Sequence, residues 1–297
     1  MASTVKRLTD EGLVSPPKWL SNNVMYETMM GSIAYGVNDD SSDVDIYGWA
    51  IPPKEIIFPH LAGEIEGFGR QKQRFEQWQH HHVKDSNGQE YDFQIFSIVK
   101  MFTLLMENNP NVIDAMFTPQ RCVLHITRVG TMVRESRKQF LHKGSWHKFK
   151  GYAYSQLHKM SSKDRSGKRK ETYDKFGFDC KFAYHVVRLL YEAEMILESG
   201  DIDLERHREH LKAIRRGEVT EEEIRQWASD KEKGLEKLYE TSKLPYSPDE
   251  PKIKALLMAC LEDHYGSLEK CVVEPDAAVR VLREVQEVLE RNAKVLG

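Results

Sequence analysis

Cysteine is scarce in this sequence, and none of it is clustered. Cys122, Cys180, Cys260 and Cys271 are scattered through 297 residues without a C-x-x-C pair. That spacing excludes a zinc ribbon and a disulfide framework. No apolar run approaches the roughly 20 residues that a membrane-spanning helix needs. The opening MASTVKRLTDEGL has no apolar core of the signal-peptide kind. A large excess of one charge is also missing: the formal net charge is −3. The chain as a whole is therefore not a polybasic nucleic-acid binder, and any anion site is a local patch. No internal repeat is present. Gly67-Phe68-Gly69 is too short for a dinucleotide fingerprint and lacks the helix that should follow. These absences leave a reduced, soluble, cytoplasmic protein that does not enter a membrane. With 40% hydrophobic and 30% charged residues it has the means to build a core.

The character of the chain changes partway along. Up to about Gln120, short apolar or alternating runs are punctuated by Gly, Pro, Asn and Asp. Val24 to Met30 reads as a strand or strand end, and Val44 to Ile51 as a strand. Tyr91, Phe93 and Ile95 alternate with Glu90, Asp92 and Gln94, which is also a strand pattern. Ser97 opens a short helix through Met106, closed by Asn108, Asn109 and Pro110. Beyond about Arg121 the pattern is helical almost throughout. Phe182, Val186, Leu189, Ala193 and Ile196 share one helix face. Thr220 and Glu223 form a capping box ahead of Ile224 and Trp227. Ile253, Leu256, Leu257, Cys260 and Leu261 make another apolar stripe, and a last helix is expected from Asp276. Ser161 to Lys175 is polar and basic, and reads as a mobile loop. The expectation is an α+β fold. Residues 1–121 form a small mixed β-sheet domain, and residues 122–297 an all-helical domain that covers the cleft.

The chemistry is concentrated in MGSIAYGVNDDSSDVDIYG, Met30 to Gly48. Gly31 lets backbone N–H groups approach a phosphate closely, and Ser32 adds a hydroxyl donor. After a turn-rich stretch, Asp43 and Asp45 stand two apart on a strand. Both carboxylates therefore project from one face, with Val44 and Ile46 on the other. Two parallel carboxylates repel unless cations neutralise them. A pair of divalent ions does so and can clamp a nucleotide's phosphates as well. Mg2+ (or Mn2+) suits an all-oxygen donor set. A third carboxylate completes such a site. Asp92 is the choice, and Glu90, on the same strand face, is the fallback.

A GS pair, a spacer and then D-x-D on a strand resemble the signature of the polymerase-beta-like nucleotidyltransferases. The sequence is most similar to the branch associated with RNA repair pathways, which carries GS-x-AYG leading to SD-x-D-x-x-G. Here those positions are Gly31, Ser32, Ala34, Tyr35 and Gly36, then Ser42, Asp43, Asp45 and Gly48. The similarity continues through Lys100, Asn109, Pro110, Asp114, Gly151, Tyr152, Lys181, His185, Arg188 and the run Ala213 to Glu218, and so covers most of the chain. The resemblance implies transfer of an NMP from an NTP, such as ATP, to an acceptor hydroxyl with release of pyrophosphate. It implies an RNA 3′ end as acceptor and an RNA ligase pathway as partner. Transfer of AMP or UMP to a protein or small molecule is the enzymatic alternative. A non-catalytic nucleotide or RNA-end sensor is the alternative of another class.

Each signal has an ordinary reading beside it. D-x-D alone is a turn followed by a strand with two solvated acids; the GS pair at this spacing is what lifts it. Lys181, His185 and Arg188, at i, i+4 and i+7, form either a solvated basic edge or a nucleotide-phosphate-binding edge facing the cleft. Lys100 has the look of a solvated helix residue. The basic stretch Lys163 to Lys175, with Trp146, Tyr152, Tyr154 and Tyr173, is either plain surface or a stacking platform for single-stranded nucleic acid. His80, His81 and His82 are consecutive on an extended chain and cannot all face one ion, so metal binding there is not expected.

Overall fold

Alternation in the first half of the sequence produces strands, and 3.6-residue periodicity in the second produces helices. The computed structural model describes residues 2–38, 43–57, 75–162, 168–266 and 285. Ser42, Gly67 to Gly69, Cys271 and the helix expected from Asp276 lie outside the described residues. The strands are β1 (Val24–Met29), β2 (Val44–Ala50), β3 (Gln77–Lys84), β4 (Glu90–Ser97) and β5 (Val123–Ile126). They form one five-stranded sheet in the order β3-β4-β2-β1-β5. Three pairings are antiparallel, and the central β2–β4 pairing is parallel. The helices are α1 (Thr4–Asp10), α2 (Gly31–Ala34), α3 (Lys54–Ile57), α4 (Ile98–Met106), α5 (Pro110–Phe117) and α6 (Arg128–Glu135). They continue as α7 (Ser145–Ser162), α8 (Lys168–Phe176), α9 (Cys180–Ser199), α10 (Arg208–Arg215), α11 (Glu221–Thr241) and α12 (Glu250–Tyr265). The fold is α+β, a mixed sheet followed by a helical region.

Period-2 geometry divides the sheet into two chemically different faces. Ile46 and Ala50 of β2 and Phe93 and Ile95 of β4 point to one side, where they pack with Val5, Leu8 and Leu20. Trp49, Tyr26 and Phe96 point to the other and join an apolar cluster that runs through α4, α5, α7, α9, α11 and α12. The helical region is thus laid on one sheet face, and α1 closes the other. Helix α1 is anchored from below. The buried Glu27 carboxylate accepts the backbone N–H groups of Thr4 and Val5, which occupies donors that a helix start leaves unpaired. Burial raises the Glu27 pKa, and those hydrogen bonds and His125 oppose the rise.

The caps are local and legible. Ser97 accepts from Lys100 N at 3.1 Å and starts α4, and Asn109 accepts from Val112 N and starts α5 with Pro110 in its first turn. Thr220 and Glu223 form the capping box of α11. Two expectations need correction. Val123–Ile126 is not helical but pairs with β1, so the sheet takes a strand from just beyond residue 121. The segment read as a loop carries helix α8 over Lys168–Phe176. Its Lys, Arg and Glu are strong helix formers, and Glu171 and Lys175 stand at i and i+4, so polarity misled where propensity should have decided.

Candidate active site

Parallel pairing of β2 with β4 places the acids side by side. Asp45 is the register partner of Asp92, Tyr47 of Gln94 and Trp49 of Phe96. All six are on the sheet face that the helical region covers. Asp43 sits one residue ahead of β2 and is exposed, while Asp45 is half-buried. Burial raises the Asp45 pKa first, the neighbouring Asp92 raises it further and Asp43 adds to the rise; Lys181 and His81 oppose it. Three carboxylates therefore bear on one another at this end of the sheet, and the cations within reach do not cancel the effect.

Gly31 is held directly against this group. Met30 N donates to Asp45 O at 2.7 Å, and Gly31 has φ +63°. A Cβ at Gly31 would fall inside van der Waals contact with Asp45 Oδ2. Only glycine meets both demands, the left-handed backbone and the close approach. Ser32 follows on α2, so the GS pair and the acids are neighbours in space as well as in sequence.

Lys181 is exposed on the first turn of α9, and its charge acts on Asp45. Its place is set by Asp179, a buried N-cap that accepts from Lys181 N at 3.0 Å and Phe182 N at 3.3 Å. Sequence reading passed over Asp179, although an Asp ahead of an apolar-periodic run is a helix-start signal. His185 lies one turn further along, half-buried, with its ring 4.1 Å from that of Tyr184. Arg188 is different, and its expected place in a phosphate-binding edge is corrected here. It is buried, bonded to Asp114 and, at 2.9 Å, to Glu192, with its guanidinium 4.4 Å from the Tyr35 ring centre. The stripe Lys181, His185, Arg188 begins at the surface and ends inside the protein. Lys100 is paired with Glu76 at 3.2 Å on the surface. Trp146 is buried under Lys150 and so does not join a stacking platform, whereas Tyr154 is exposed and donates its hydroxyl to Glu232.

Between the two candidates for the third acid, the register favours Asp92. Glu90 is instead drawn to β3, with its carboxylate 2.6 Å from His82 Nδ1 and 3.5 Å from Lys84 Nζ. Asp92 also has contacts on β3. His82 N donates to Asp92 Oδ1 at 2.7 Å, and His81 Nδ1 lies 3.5 Å from Oδ2. They come from a bulge between His80 and Val83 in which His82 adopts φ +58°. Among the described residues no three acidic, histidine or cysteine side chains are grouped as a ready-made metal site. The donor set nevertheless fits a hard divalent cation: it is all carboxylate, and burial together with repulsion from Asp92 and Asp43 raises the Asp45 pKa. To join such a site, Asp92 has to turn its Oδ2 from His81, an exposed side chain, while Oδ1 can keep the His82 backbone N–H.

Comparison with known proteins bears on the family of the chain. A family model described as the RNA repair pathway DNA polymerase beta family (RlaP) matches residues 5–259. A comparison with curated proteins gave no match. A solved structure described as a nucleotidyltransferase-like protein from Exiguobacterium sibiricum 255-15 aligns over 87% of this chain and 72% of that one, with 11% identity and a TM-score of 0.30. So shallow a superposition carries no argument, whereas the family model spans most of the chain. With GS beside Asp45, and Asp92 in register with it, the chain belongs to the RNA repair pathway DNA polymerase beta family of nucleotidyltransferases.

Proposed function

We propose that the protein transfers a nucleoside monophosphate from an NTP to an acceptor hydroxyl, releasing pyrophosphate, with an RNA 3′ end as the acceptor. The observation that carries the reading is the parallel register of Asp45 and Asp92, with the Gly31 backbone packed against Asp45. In this reading Asp43 and Asp45 hold two Mg2+ or Mn2+ ions, and Asp92 holds the one nearest the acceptor hydroxyl. Bound there, the ions would neutralise the triphosphate and acidify the attacking hydroxyl. The chain's own groups do the rest. Gly31 and Ser32 present N–H and hydroxyl donors to the β- and γ-phosphates. Lys181 and His185, on the same stripe of α9, face the phosphates from the helical side. The acceptor oxygen attacks the α-phosphorus in line, and the bond to the pyrophosphate oxygen breaks. Catalysis is positioning plus charge neutralisation.

RNA as acceptor rests on family membership, and so does an RNA ligase pathway as partner. Placement in the cytoplasm is supported by Cys122, Cys180 and Cys260, which are buried and free. Among the described residues no helix is long and apolar enough to cross a membrane.

The test is a transfer assay with each α-labelled NTP, Mg2+, and RNA bearing either a free or a blocked 3′ end. Label on the free-ended RNA that disappears with Asp43→Asn and Asp45→Asn supports the reading and identifies the nucleotide. Label on protein in a parallel lane assigns the enzyme to a protein acceptor instead. Nucleotide binding with no transfer to any acceptor makes it a sensor.

A further inference from the structure

Deep in the protein, a cation is shared between two acids far apart in sequence. Arg188 of α9 donates to Asp114 Oδ2 of α5 and, at 2.9 Å, to both oxygens of Glu192. Tyr35 donates its hydroxyl to the same Asp114 oxygen at 2.8 Å and lies beneath the guanidinium. All four residues are buried. Burial raises the pKa of both acids and Arg188 opposes the rise, while Glu192, Tyr35 and Asp114 keep the guanidinium charged despite its own burial. Asp114 Oδ1 and Arg188 Nε have no hydrogen-bond partner among the described residues. A cluster built only for stability would have been made apolar at lower cost.

Tyr35 is the residue that ends α2, four positions after Gly31. The backbone from Gly31 to Val37 is one tight unit, closed by Tyr35 N to Gly31 O and by Val37 N to Ser32 O at 2.9 Å. Two arginines grip this unit at two further carbonyls. Arg121 donates to Ile33 O at 3.3 Å while bonded to Glu205, and Arg215 donates to Val37 O at 2.7 Å. The segment beside Asp45 is thus held by Tyr35, Ile33 and Val37 from outside the sheet.

We propose that Arg188, through Asp114 and Tyr35, is a positioning residue that fixes the Gly31–Ser32 backbone relative to Asp45. It does not contact phosphate. The proposal rests on the transferase reading for its kinetic consequence, although the positioning itself is independent of it. One stripe of α9 then does two jobs: Lys181 and His185 face the nucleotide, and Arg188, at the next turn, sets the distance to the loop opposite them.

The test compares Tyr35→Phe, Asp114→Asn and Arg188→Lys with the intact chain by two measurements. Tyr35→Phe removes one hydroxyl and should fold; Arg188→Lys keeps the charge but loses the planar guanidinium, whose Nη1 reaches both Asp114 and Glu192. The first measurement is amide hydrogen exchange of the metal-free protein. Peptides covering residues 31–37 should exchange about tenfold faster in Tyr35→Phe, as the loss of one buried hydrogen bond predicts. Peptides from β4 and α11 should be unchanged. The second is steady-state transfer, where kcat should fall tenfold or more, on the order expected for a sub-ångström misplacement. KM for the nucleotide should move by no more than about threefold, because the loop's donors remain. Arg188→Lys, which keeps the positive charge, should lose less than Asp114→Asn. Unchanged exchange at 31–37 in all three variants, or exchange that rises equally across the whole chain, would overturn the proposal. An intact chain that transfers nothing, but whose variants loosen residues 31–37 alone, would overturn the transferase reading and leave the positioning role standing.

Discussion

Two groups of carboxylates in this protein are built on opposite principles. Asp43, Asp45 and Asp92 come together where the sheet ends and are partly open to solvent, and burial and the other two acids raise the Asp45 pKa. Asp114 and Glu192 are buried together, but Arg188 lies between them and Tyr35 fills one remaining lone pair. The open group has a shortage of positive charge that a ligand can meet. The buried group has nearly met its own demand and is unavailable to any ligand. Uncompensated charge within reach of solvent marks a site; compensated charge out of reach marks scaffold.

The comparison is broken most directly at Asp45. Asp45→Asn should reduce transfer by on the order of a thousandfold or more. The same substitution should raise the melting temperature of the metal-free protein at neutral pH. The sign follows from the raised pKa. Between the ordinary value of 3.8 and the higher folded value, the folded chain binds a proton more readily than the unfolded chain. Stability is therefore lost as pH rises through that window, and asparagine removes this contribution. A metal-free variant no more stable than the parent at neutral pH, with the same slope at acid pH, would mean that the Asp45 charge is not strained by its burial and its acidic neighbours.

The converse holds at Arg188. Arg188→Ala leaves two acids buried without their cation and should cost about 3–5 kcal/mol, read from the urea midpoint. A loss below about 1 kcal/mol would erase the distinction between the two groups. Gly31→Ala tests their junction. It forces a Cβ against Asp45 Oδ2 at a left-handed position, and should cost about 1–2 kcal/mol of stability and about a hundredfold in turnover. Lys181→Ala gives the smallest effect. It should slow transfer about tenfold while stability, read by thermal melting, stays within about 0.5 kcal/mol, since the side chain is exposed. A tenfold loss that vanishes at saturating nucleotide would assign Lys181 to binding alone.

The open group was legible in the sequence because its parts are local. Gly31, Ser32, Asp43 and Asp45 lie within one short stretch, and the alternation around Asp92 announced its strand. The Ser97 cap and the Thr220–Glu223 box were legible for the same reason. The buried group was not, because it is assembled from α2, α5 and α9. Nothing in the helical spacing of Lys181, His185 and Arg188 tells the last from the first two; that needs Asp114, 74 positions away. Strand β3 was missed because Gln77–Lys84 is mostly polar and exposed, as an edge strand can be. β5 was missed because four residues are too few to show a period.

The parallel pairing of β2 with β4 has a consequence for how the protein can fail. Sliding β4 by one residue against β2 would turn Phe93 and Ile95 into the cleft and Asp92 into the apolar layer above α1. Such a chain would lose its acid and a slab of its core in the same event. No half-competent register lies between, so the quality of any molecule's assembly and its competence at the reaction are read from the same row of hydrogen bonds.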